Sequence, residues 1–186
     1  MWLVPEGETA VFTNEAKGTA LTISGEGAIP NNLYSTAVWK EWGITDIELS
    51  EGVTSIGSSA FYNCSKLTGV IIPSGVTSIG TDAFQGCSSL TEITIPSSVT
   101  SLRSSTTSAF RGSGLTTVIL EEGRESIPSG AFYGCDKLTS VTIPSSVTSI
   151  GSDAFNGCSN YTIVGTIKSY AETYATANNI TFKQKE

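Results

Sequence analysis

The chain has 186 residues and a formal net charge of −7 at pH 7, with only ten Lys and Arg against seventeen Asp and Glu. Basic patches able to neutralise phosphates are therefore excluded, and neither nucleic acid nor an anionic membrane is an expected partner. Ser and Thr exceed a quarter of the residues while mean hydropathy is +0.07, the composition of a folded β-rich chain made soluble by hydroxyls rather than of a disordered one.

In chain order, residues 1–43 stand apart from the rest of the sequence. Met1-Trp2-Leu3-Val4-Pro5 is too short for a signal peptide, so the start reads either as cytoplasmic or as a start residue on a processed secreted fragment. No run approaches the eighteen apolar residues of a membrane span. Glu8–Thr13 and Thr19–Gly25 have β character around the polar cluster Asn14–Gly18, which predicts a β-hairpin with its turn in that cluster. Tyr34, Trp39 and Trp42 come next. They are read as an apolar cover for the open end of a repeat array, the alternative being a sugar-stacking platform.

Five copies of one sentence then start at Ile44, Leu67, Leu90, Leu115 and Leu138, four of them 23 residues long and the third 25. A period of that length means one supersecondary unit stacked along an axis. In each copy apolar residues fall at offsets 0, 3 and 5, as in Leu67, Val70 and Ile72, predicting a strand with one buried face. Pro73, Pro96 and Pro144 follow and end it, because proline cannot donate to a ladder. A second extended piece such as Val76–Ile79 leads to Gly80, and Thr81 is read as N-cap of one helical turn over residues 82–87. Phe61, Phe84, Phe110, Phe132 and Phe155 recur at one position and are expected to form an internal column of rings. The third copy carries extra residues between Leu102 and Ala109 and has Ser113 where its siblings have cysteine; the insertion is read as a surface bulge. The fourth has Arg124 where the others have Val53, Val76, Val99 and Val147, with Glu121, Glu122 and Glu125 as expected local partners. From Tyr161 the repeat dissolves into a strand over 162–167, a helix capped by Ser169 with Glu172 three residues on, and a last strand at Ile180–Phe182.

The unit L-T-x-[VI]-x-I-P-x-x-V-T-S-I-G-x-x-A-F-x-[GN]-C-S, seen in Leu67–Ser89 and Leu138–Asn160, resembles the BspA-like leucine-rich repeats. The flanks, Leu21–Pro30 with Trp39 and Ser169–Ala175 with Phe182, are similar to those of bacterial members. The resemblance covers nearly the whole chain. It implies a single right-handed leucine-rich repeat solenoid (1–43 cap, 44–160 repeats, 161–186 cap), with a parallel sheet on one face and short helical turns opposite. It further implies a secreted or cell-surface bacterial protein, of a family whose members of known role bind host matrix proteins or other bacteria.

Chemistry finds little to hold in this chain. There is no histidine, which removes Ser–His and Cys–His nucleophiles, and no catalytic residue is expected. Cys64, Cys87, Cys135 and Cys158 occupy one column; two disulfides are arithmetically allowed, but reduced packing cysteines are the expectation. Single cysteines without paired spacing predict no metal, and no cofactor motif occurs. The informative positions are those that vary while the frame repeats. On the main strands these point outward: Asp46, Glu48, Ile71, Glu92, Thr94, Ile119 and Thr142 are the candidate contacts for a host or bacterial surface protein. A second variable strip, Tyr62, Gln85, Arg111, Tyr133 and Asn156, lies opposite. The resulting expectation is a monomeric, non-enzymatic, extracellular adhesin-like module. The alternatives are a carbohydrate-recognition or accessory module of a larger surface protein, and a structural stalk.

Overall fold

A computed structural model describes residues 13–17, 19–31, 43–102 and 108–186. Along these the chain winds as a solenoid in which each turn contributes one strand to a main sheet and a shorter strand to a second sheet. The main-sheet strands are β2 (Ala20–Ser24), β4 (Asp46–Leu49), β6 (Gly69–Ile71), β8 (Glu92–Ile95), β10 (Thr117–Leu120), β12 (Ser140–Thr142), β14 (Thr162–Gly165) and β15 (Thr181–Gln184). The second set is β3 (Gly27–Ile29), β5 (Val53–Ile56), β7 (Ser78–Ile79), β9 (Ser101–Leu102), β11 (Ser126–Ile127) and β13 (Ser149–Ile150). Neighbouring turns pair in parallel with matching repeat positions opposite one another, as in Val118↔Val141 and Ser55↔Ser78.

The repeat sentence explains this architecture. Offsets 0, 3 and 5 bury Ile44, Ile47 and Leu49 in one turn and Leu90, Ile93 and Ile95 in another, each stacking on its counterpart about 4.8 Å away. The phenylalanines form the expected column: ring centroids from Phe61 through Phe84, Phe110 and Phe132 to Phe155 lie 5.3, 5.6, 5.9 and 5.5 Å apart, all stacked. Tyr161 closes the column at 5.2 Å from Phe155, with Tyr174 of helix α1 (Tyr170–Ala177) tilted at 6.5 Å. Ser169 caps α1 by accepting from the Glu172 amide, while the Glu172 carboxylate accepts from the Lys168 amide.

Three local features differ from or add to the sequence reading. The hairpin exists, but strand β1 (Thr13–Lys17) runs through the cluster read as a turn. Its antiparallel register with β2, Thr13↔Ser24 to Lys17↔Ala20, leaves residues 18 and 19 to connect them. Pairing with β2 outweighs the turn preference of Asn14. Second, β2 and β3 already ladder with β4 and β5, so residues ahead of Ile44 carry both strands of the repeat. Third, the expected helical turn is instead a chain of i→i−3 turns, with the amides of Ala83, Gln85 and Cys87 donating to the carbonyls of Gly80, Asp82 and Phe84. Asp82 at φ +58° and Gly86 at φ +72° interrupt any α-helix. The turns persist because their remaining amides reach the next coil, Phe84 N–H to Ala109 O at 2.7 Å and Gly86 N–H to Arg111 O at 3.2 Å.

Tyr34, Trp39, Trp42 and the extra residues 103–107 fall outside the described residues. On either side of the latter the stack continues: Leu102 pairs with Ile79, and Phe110 stacks on Phe84. The second sheet does part between β9 and β11. There Arg124 is buried, and its Nη2 donates to the Pro96 carbonyl at 2.8 Å rather than to any of the three nearby glutamates. Burial holds its pKa below the usual guanidinium value, and its Nε has no partner among the described residues.

Ser113 is the other departure. It is buried with an unpartnered hydroxyl, whereas Cys87, Cys135 and Cys158 each point Sγ at a carbonyl of the preceding coil. Restoring the column residue, Ser113→Cys, is expected to raise stability by about 1 kcal/mol, since a buried hydroxyl without a partner costs roughly 1–3 kcal/mol. Urea denaturation of the two proteins checks the sign.

Candidate functional site

The outward residues of the main strands align in two rows. One runs Ala20, Asp46, Gly69 and, past a gap, Glu92, Thr117, Ser140; the other runs Thr22, Glu48, Ile71 and then Thr94, Ile119, Thr142. All seven predicted contact residues therefore share this face. Asp46, Glu48, Ile71, Glu92 and Thr94 are exposed, and Ile119 and Thr142 half-buried. Ile71 is 69% exposed, the most open of the large apolar side chains described.

The gap between the two halves of each row is the feature that sequence reasoning missed. The main sheet is two sheets, β1-β2-β4-β6 and β8-β10-β12-β14-β15, with no ladder between β6 and β8. At the other steps an amide bonds the preceding turn: Thr45 to Thr19 O (2.8 Å), Thr68 to Thr45 O (2.7 Å), Thr116 to Thr91 O (2.8 Å), Thr139 to Thr116 O (2.9 Å) and Thr162 to Thr139 O (2.8 Å). The threonine hydroxyls repeat the pattern, with Thr68, Thr116 and Thr139 donating to the same carbonyls. Among the described residues, no such bond joins Thr91 to Thr68. The opening is confined to this face, because β7 still pairs with both β5 and β9, and Phe61 still stacks on Phe84.

One sequence signal marks the spot. Gly69 occupies the strand position that holds Asp46, Glu92, Thr117 and Ser140 in the other copies, and glycine weakens a strand interior while offering no side chain to its neighbours. A Cβ there would meet Asp46 Oδ1 at 2.9 Å. The parted strands line a groove of about 710 Å³, in which Asp46, Glu48, Gly69, Ile71, Glu92 and Thr94 meet Glu121 from the loop after β10. Ile119 and Thr142 continue the same row beyond the groove.

The remaining candidates hold no comparable site. In the opposite strip Tyr62, Gln85 and Tyr133 are half-buried, and the Gln85, Arg111 and Asn156 carbonyls are occupied by inter-coil bonds. All four cysteines are thiols. Burial pushes the Cys87 and Cys135 thiols far above the ordinary value and Cys158 to about 11, so the reactive thiolate is disfavoured. A thiol titration at pH 8 is expected to find these three cysteines unreactive in the native chain and four thiols in denaturant. Zero thiols in denaturant would show disulfides instead. Among the described residues, no three His, Cys, Asp or Glu side chains converge as a metal site, and no helix is long and apolar enough to cross a membrane.

Comparison with known proteins agrees with this geometry. No curated protein matches the chain. Among solved structures, the pneumococcal vaccine antigen PcpA superposes with a TM-score of 0.62 at 20% identity, covering 77% of this chain and 36% of its own. A T. pallidum leucine-rich repeat protein gives 0.52 at 18% identity, covering 94% and 95%. A leucine-rich cell surface protein of Faecalibacterium prausnitzii gives 0.50 at 26% identity, covering 87% and 56%. The chain thus spans well under two thirds of the PcpA and Faecalibacterium chains. The profile of the BspA-type leucine-rich repeat region matches residues 31–162 and 106–184 in six copies, and the chain belongs to the BspA-type leucine-rich repeat family.

Proposed function

We propose that this chain is a non-enzymatic, surface-displayed module that binds another protein through the outward face of its main sheet. The observation that carries the reading is the groove on the main-sheet face where β6 parts from β8, with the exposed Ile71 among carboxylate and hydroxyl side chains. An exposed apolar side chain set in a groove with a polar rim fits macromolecular contact. Surface display is supported by the family and by relatives described as a cell surface protein and a vaccine antigen.

The test is direct binding of the full chain to a panel of purified extracellular matrix and bacterial envelope proteins, compared with Ile71→Arg and Thr94→Arg. These substitutions place bulk and charge on exposed positions, so folding persists while the face is blocked. Binding lost in both is the expected result. Binding retained in both would place the contact elsewhere.

A further inference from the structure

Resting on that reading, we infer that the groove at the interrupted ladder takes a basic, extended peptide segment of the partner protein. Three independent features of the groove converge on this chemistry. Asp46, Glu48, Glu92 and Glu121 line it, with no Lys or Arg lining it among the described residues. The four carboxylates do not converge as a metal site; they are spread over two strands, β4 and β8, and the loop after β10, a spacing suited to several cations along a chain rather than to one ion. Between them Val70 and Ile71 supply apolar surface, on which the methylene stem of Lys or Arg packs while its charged head stays at the wet rim.

The third feature is the backbone. The parting of β6 from β8 leaves the Thr68 carbonyl and the Thr91 amide without the bond that their counterparts make at the other steps. Of these two residues Thr68 lines the groove, and an open main-chain acceptor there can take a hydrogen bond from an extended chain, the mode in which main-chain hydrogen bonds supply affinity and alternate side chains supply specificity. Charge complementarity then selects a basic segment and speeds its encounter.

The probe is a fluorescein-labelled octapeptide of alternating Lys and Thr, titrated with the full chain and followed by anisotropy at low salt. Saturable 1:1 binding is expected, weakening as salt rises. Affinity should fall at least about tenfold in the combined variant Glu48→Gln, Glu92→Gln, Glu121→Gln. A charge-matched control, Glu122→Gln, Glu125→Gln, Asp136→Asn, alters exposed carboxylates outside the groove and should change affinity by less than about twofold. Circular dichroism confirms that both variants fold. Equal weakening in both, or no binding by the unaltered chain, would overturn the inference, as would self-association that the peptide cannot displace, which would make a second copy the occupant. A surface protein whose binding is lost with Ile71→Arg but survives the glutamine variant would leave the contact face standing and remove only the basic segment.

Discussion

Phe84→Ala is expected to destabilise the fold by about 3–5 kcal/mol, the range for emptying a buried phenylalanine site. Phe84 is fully buried, with its ring between Phe61 at 5.3 Å and Phe110 at 5.6 Å and inclined to them by 24° and 6°. Removing it takes one side of the contact away from each neighbour and leaves a void that the coils cannot close. The coils are held at fixed spacing by bonds on the same turn, Phe61 N–H to Ala83 O at 2.8 Å and Phe84 N–H to Ala109 O at 2.7 Å. Dispersion and aromatic offset-stacking are both lost. Chemical denaturation with an unchanged m-value measures the difference; a loss below about 1 kcal/mol would mean that the column does not carry the core.

A smaller substitution is expected to cost about as much. Gly80→Ala should destabilise by about 3 kcal/mol, although it adds one methyl group. Its Cβ would lie 2.4 Å from the Ser58 nitrogen and 2.7 Å from the Gly57 carbon, backbone atoms that cannot rotate away. The same contact recurs along the corner, with Gly57 against the Pro30 carbonyl at 2.4 Å and Gly151 against the Ser129 nitrogen at 2.2 Å. Relief would require the coils to separate there, stretching the Gly80 N–H to Ile56 O bond of 2.8 Å. Gly112 is the control: its φ is +62° but nothing lies within 4 Å of an added Cβ. Gly112→Ala therefore carries only left-handed backbone strain, roughly 1–2 kcal/mol. If thermal melts show Gly80→Ala to be the milder of the two, close backbone approach is not what this glycine column serves.

Much of the candidate site was legible in the sequence because strand alternation is a local property. Once Ile47 and Leu49 face inward, Asp46 and Glu48 must face outward, and the same logic placed Ile71, Glu92, Thr94, Ile119 and Thr142 on one face. What alternation cannot state is the bond between turns. Gly69 marks a weak strand, but the missing Thr91–Thr68 bond depends on how the second coil docks on the third. Glu121, which the sequence offers as a local partner for Arg124, reaches the groove only because its loop lies beside the parted strands.

The sequence by itself determined the period, the inward set of each coil, the phenylalanine column and the family, because each copy repeats the same burial problem and the same solution. Even the closing helix, with Ser169 and Glu172 at its start, follows from local hydrogen-bonding chemistry. The tertiary structure alone decided where pairing wins or fails. It drew β1 into the ladder through turn-forming residues and converted the expected helical turn into i→i−3 turns whose remaining amides reach the next coil. It turned Arg124 to the Pro96 carbonyl and opened the main sheet between β6 and β8. Apart from the hairpin pairing of β1, these outcomes are set by contacts between residues about 23 or more positions apart, where the competition among hydrogen-bond partners is resolved only once the coils are stacked.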